Sequence, residues 1–195
     1  MSTRSTTSAE PRTKDVQTKH RQRRIMNNPP AEVEDVIRKL TLGSKEDLLN
    51  VVNTYFTQDA SFDHPLAWVQ SSPKHSRESV LNIYRAYHVL SEISKIEINS
   101  IDWNPENLHL VVDLFETLSF PLQWPRGPMK LRLVVVLKFR KVDDKYYIKS
   151  QEDLFPIQDL LHLVPFGKFI ISTVKTVASF NGQIIGAVAH RLGYW

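Results

Sequence analysis

Hydrophobic periodicity changes sharply after Ser91, and that change limits the folds open to this chain. Before Ser91, apolar residues recur every three or four positions, the repeat of a helix with one buried face. After it they alternate, the repeat of a strand with one buried face. Residues 31–42 carry Val33, Val36, Ile37 and Leu40 and stop at Gly43, a common helix terminator. Ser44 followed by Asp47 approaches a capping box, and Leu48, Leu49, Val52, Tyr55 and Phe56 then predict a second helix ending near Asp59. Residues 60–66 read as extended, with a turn at Pro65. Val80, Ile83, Tyr84, Tyr87 and His88 predict a third helix over 76–90.

Four strands follow, near 93–103, 108–119, 131–141 and 145–155, with turns at Asn104-Pro105 and Asp143-Asp144. In the third, Leu131, Leu133, Val135, Leu137 and Phe139 fall on one face, and Arg132, Lys138 and Arg140 on the other. Val134 and Val136 make its middle apolar on both sides. Three helices before a long meander predict an α+β fold in which a curved antiparallel sheet wraps around the helices and leaves a cavity.

Charge divides the chain into three parts. The first thirty residues hold seven basic and two acidic residues, 31–159 hold fifteen and nineteen, and 160–195 hold three and none. We read 1–30 as a disordered basic arm, too poor in large apolar groups to offset the entropy of ordering. Its cluster Lys19, His20, Arg21, Arg23 and Arg24 reads as a nuclear localisation signal, a lipid-headgroup contact or a plain solvated tail. Residues 31–160 form the folded domain. Its mildly acidic balance argues against nucleic acid as a partner. With no cysteine, the chain has neither disulfides nor thiol chemistry. No apolar stretch follows a charged start, so no secretory signal is expected and a cytosolic setting follows. No metal or nucleotide cofactor is expected either, since HExxH, phosphate-loop and dinucleotide motifs are missing and the histidines do not pair at ligand spacing.

The order of elements, together with the run Tyr55-Phe56-Thr57-Gln58-Asp59-Ala60-Ser61-Phe62-Asp63-His64-Pro65, resembles the nuclear transport factor 2-like superfamily. The later runs Gln151-Glu152-Asp153-Leu154-Phe155 and Leu160-Leu161-His162-Leu163-Val164-Pro165-Phe166-Gly167 look more narrowly like its fungal SigF-like branch. The resemblance covers about 31–170. It implies a cone-shaped fold with an apolar pocket at the open end of the sheet, frequent dimerisation, and functions ranging from isomerase and dehydratase to scaffold. SnoaL-like polyketide cyclases and ketosteroid isomerases belong to the same superfamily.

Residues 161–195 are the second informative stretch. On a helix, Phe166, Phe169, Ile170, Val174, Val177, Phe180, Ile184, Ile185, Val188 and Leu192 share a broad apolar face, with Lys168, Ser172, Lys175, Ser179, Gln183 and His190 opposite. Asn181-Gly182 is a place where the helix would break. The charge-free interval is too short and too polar to span a bilayer. Two readings remain: a core or dimer-interface helix, or an interfacial helix. For the latter, lysines on the polar face and the terminal Tyr194-Trp195 suit the headgroup region, with Trp195 among the contacts. The interfacial reading makes a membrane or lipid droplet surface the partner, on the cytosolic face of the endoplasmic reticulum or of lipid droplets. The alternative location is cytoplasm and nucleus.

A site in this fold would face the cavity. Asp113, inside the apolar strand 110–114, is the expected general base, with His64, Tyr84, Tyr87 and His88 as partners. Tyr55, Phe62, Trp68, Tyr87, Trp103, Phe115 and Trp124 are the expected lining for an apolar ligand such as a sterol or acyl chain. Three functions stay open from the residues: a non-catalytic lipid-surface protein with an apolar ligand, a lyase or isomerase, and a dimeric scaffold.

Overall fold

The structure, a computed structural model, describes residues 26–120, 127–156 and 166–193, the side chain of Lys168 excepted. Trp124, Trp195 and the arm before Met26 lie outside the described residues.

Three helices come first. α1 (Pro29–Thr41) starts with proline in its first turn and buries Val33, Val36, Ile37 and Leu40. At its end a Cβ on Gly43 would stand 2.4 Å from the Lys39 carbonyl oxygen, so only glycine fits the tight turn. Ser44 then opens α2 (Lys45–Tyr55) with a complete capping box: the Asp47 N–H donates to Ser44 Oγ, and the Ser44 N–H to Asp47 Oδ2, both at 3.1 Å. α3 (Ser76–Leu90) buries Val80, Leu81 and Tyr84.

The expected end of α2 near Asp59 is too late, because the chain turns to strand directly after Tyr55. β1 (Phe56–His64) buries Phe56, Ala60 and Phe62, and β2 (Ala67–Val69) folds back on it. β3 (Glu92–Asn104), β4 (His109–Ser119), β5 (Met129–Val142) and β6 (Lys145–Leu154) form the expected meander. Asp143 and Asp144 both adopt positive φ, 47° and 58°, as the tight β5–β6 hairpin requires. The six strands make one sheet in the order β2-β1-β6-β5-β4-β3. It is mixed, not wholly antiparallel, since β1 lies parallel to β6. Met26, counted from sequence with the basic arm, is fully buried, and its carbonyl accepts the Tyr146 N–H at 2.9 Å.

Inward-facing residues of β4, β5 and β6 meet the three helices in one core. From β5 these are the Leu131, Leu133, Val135, Leu137 and Phe139 face that the alternation predicted. The last element, α4 (Gly167–Arg191), is one unbroken helix through Asn181-Gly182. Nearly every described residue of it is exposed, including Phe169, Ile170, Val174, Val177, Phe180, Ile184, Ile185 and Val188, as is Phe166 just before it. No helix among the described residues is long and apolar enough to cross a membrane.

Candidate functional site

The curved sheet and helices enclose a cavity of about 110 Å³, and its wall is assembled from every layer. α1 supplies Val36, Ile37 and Leu40, α3 supplies Tyr84, Tyr87 and His88, and β5 supplies four aliphatic side chains. His64, Leu66 and Phe155 also line it. Among the polar groups on this mainly apolar wall, four are deeply buried: Glu116 of β4, Gln151 and Asp153 of β6, and Tyr84.

Local sequence explains why they point inward. Glu116 is in phase with Leu110, Val112, Leu114 and Leu118, the buried positions of β4, so the pleat turns its carboxyl to the core. In β6, Gln151 and Asp153 occupy the buried phase, and Leu154 faces solvent. A chain of hydrogen bonds links the group: the Tyr84 hydroxyl donates to Gln151 Oε1 at 2.9 Å, and Gln151 Nε2 donates to Asp153 Oδ1 at 2.9 Å. Among the described residues, no Lys or Arg forms an ion pair with Glu116 or Asp153.

Electrostatics follow from that isolation. Burial, with Asp153 nearby, pushes the Glu116 carboxyl up to about 7. Burial pushes Asp153 up to about 7 as well, against the Gln151 hydrogen bond that favours its ionised form. Burial holds His64 down at about 4, so its ring is neutral near pH 7. Its Nδ1 accepts the Leu66 N–H at 3.1 Å, which leaves the ring proton on Nε2. The His64 ring packs against Tyr87 and Phe155 at centroid distances of 5.0 and 5.1 Å. The buried Tyr87 hydroxyl has no partner within the described structure.

Of the residues singled out in the sequence, His64, Tyr84, Tyr87 and His88 come together on the cavity wall. His88 is directed to the backbone, its Nε2 lying 2.8 Å from the Leu40 carbonyl oxygen. Asp113 does not join them. It lies on the outer face of β4, where Arg132 clamps it through two bonds of 2.9 Å and holds its carboxyl below the usual range. The expected general base is therefore a surface ion-pair partner, and the inward carboxyls are Glu116 and Asp153.

The aromatic lining also differs from expectation. Tyr55 and Phe62 are buried in the core and do not line the cavity; Phe62 packs behind Tyr84, with centroids 5.7 Å apart. Trp68 is two-thirds exposed on β2. Trp103 packs on Phe139 and Tyr146. Phe115 lies on the outer phase of β4, beneath Lys130 Nζ at 4.5 Å.

The SigF NTF2-like domain family matches residues 26–194. The chain belongs to that family. The match includes the residues of α4. No curated protein matches the chain significantly in sequence.

Solved structures give the same fold at low identity. A protein of ketosteroid isomerase-like fold from Catenulispora acidiphila, in complex with trimethylamine, aligns with a TM-score of 0.53 and 15% identity over 69% of this chain and 92% of its own. A SnoaL-like protein from Shewanella denitrificans aligns at 0.52 and 15% over 68% and 93%. A protein from Bacillus subtilis assigned as an isomerase aligns at 0.53 and 12% over 70% and 94%. These likenesses place the SigF NTF2-like chain in a fold that hosts many functions, so its own role is argued from the cavity.

Proposed function

We propose that the domain binds a small, mainly apolar molecule in the cavity and exchanges a proton with it through Glu116 and Asp153. One observation carries this reading: both carboxyls are buried on a wall otherwise built almost entirely of aliphatic and aromatic side chains. A carboxyl pushed up to about 7 gives and takes protons at neutral pH with little driving-force penalty. Proton exchange at a carbon atom of the ligand is isomerase- or lyase-type chemistry. Gln151 and Tyr84 are positioning residues, since their hydrogen bonds hold Asp153 in place. An acyl chain or sterol with no polar group near these residues would leave both carboxyls unmatched, which favours a ligand that meets them. Fragment screening by NMR checks this reading. Small apolar probes should shift the resonances of Glu116, Asp153 and Tyr87; fragments that perturb only surface residues would refute it.

We also propose that α4 lies on an anionic lipid surface. Its apolar side chains are exposed, and its charge is exclusively basic, with no acidic residue after Asp159. At ~1.5 Å per residue the helix is long enough to bury several side chains at roughly 0.8 kcal/mol per CH₂. Flotation on phosphatidylserine vesicles tests it. The wild-type chain should float, and the double variant Phe169→Asp/Ile185→Asp should stay in solution with its melting temperature unchanged. If the wild-type chain also stays in solution, this second reading fails.

A further inference from the structure

Polar groups in the cavity are unequally supplied. On the acceptor side stand the carboxyls of Glu116 and Asp153. Glu116 is 6% exposed, and within the described structure neither a hydrogen-bond donor nor a cation reaches its carboxyl. On the donor side, the Tyr84 hydroxyl and the Gln151 amide are already engaged with each other and with Asp153. What remains is the unpartnered Tyr87 hydroxyl and the His64 ring nitrogen. The walls from α1, β3 and β5 add no titratable side chain, and His88 is turned to Leu40. Behind Asp153, Asp63 and Glu152 add further negative potential.

A ligand that answers this arrangement brings donors and positive charge, not another acceptor. A neutral carbonyl compound would compete for the few donors present. An ammonium group would satisfy the carboxylates and lie among rings whose faces attract cations, those of His64, Tyr87 and Phe155. We infer that the ligand of this cavity is an apolar amine, held as its ammonium ion against Glu116 and Asp153. This deepens the binding reading above and needs no turnover.

The pH dependence has a definite sign. An ammonium ion binds the ionised carboxyls, so binding releases protons from the cavity and tightens as pH rises towards neutrality. A neutral acceptor ligand needs protonated carboxyls and weakens over the same range. Calorimetric titration with cyclohexylamine and with cyclohexanone, between about pH 5.5 and about pH 7.5 and in buffers of different ionisation enthalpy, separates the two. The amine is expected to bind at least about tenfold tighter than the ketone at the upper pH. It should release protons on binding and lose about tenfold in Glu116→Gln and Asp153→Asn, but not in Asp113→Asn. Melting curves of each variant confirm that it is folded. Tighter binding of the ketone, or amine affinity that falls with rising pH, overturns the amine assignment and leaves the cavity reading standing. If neither probe binds, both fall.

Discussion

The Tyr84 hydroxyl donates to Gln151 Oε1 at 2.9 Å, joining α3 to β6 across sixty-seven residues of sequence. This bond fixes which way the Gln151 amide faces, because its Nε2 is then free to hold Asp153 Oδ1. Burial keeps the Tyr84 hydroxyl protonated, raising it well above its ordinary value. Orientation thus passes from a helix phenol to a strand carboxyl.

Removing that hydroxyl tests the chain of contacts. Tyr84→Phe leaves Gln151 Oε1 buried without its donor, which costs about 1–3 kcal/mol. The melting temperature should fall accordingly, and the pH dependence of stability should change, since Asp153 loses its positioned partner.

Glu116→Gln should stabilise the protein once pH rises above the ordinary carboxylate range. Between the ordinary carboxylate range and about 7, the folded chain keeps a proton that the unfolded chain has lost, so stability falls as pH rises through that window. Below the window there is no cost, and above it the full cost remains. A displacement from 4.5 to about 7 corresponds to roughly 3 kcal/mol at most. Denaturation midpoints should therefore rise in the variant at pH above about 7 and match wild type near pH 4.

Asp113→Asn should do little. Arg132 is half-exposed, and surface pairs of this kind contribute about 0–1 kcal/mol. Urea denaturation should show a change within that range, and ligand binding in the cavity should be unaffected.

Gly43→Ala should destabilise the α1–α2 turn. The new Cβ would meet the Lys39 carbonyl oxygen at 2.4 Å and Asp47 Cβ at 2.8 Å, both on elements that cannot shift cheaply. Overpacking of this kind costs about 1–3 kcal/mol, which thermal melting detects.

The helices and the meander were legible because their apolar residues keep one period for several turns or pleats. The end of α2 was not, because Tyr55 and Phe56 serve either period and Phe56 belongs to β1. Residue phase also decides the site. Asp113 looked buried because its neighbours in 110–114 are apolar, yet it is out of phase with Leu110, Val112 and Leu114. Counting by twos from those residues reaches Glu116, so that carboxyl was within reach of the sequence. Asp153 was not: Ser150, Gln151, Glu152 and Asp153 are all polar, and the flanking apolar residues Ile148 and Phe155 give opposite phases for them. The run containing Gln151 and Asp153 did carry the family resemblance, and those residues with Phe155 help build the cavity wall.

A direct measurement of the two carboxyls bears most closely on this account. Carbon-13 resonances of the Glu116 and Asp153 side chains, followed against pH in the full chain, should titrate near 7, Glu116→Gln and Asp153→Asn supplying the assignments. Midpoints at ordinary carboxylate values, about 4, would mean that water or a cation reaches both groups, and a proton-exchanging cavity would be contradicted.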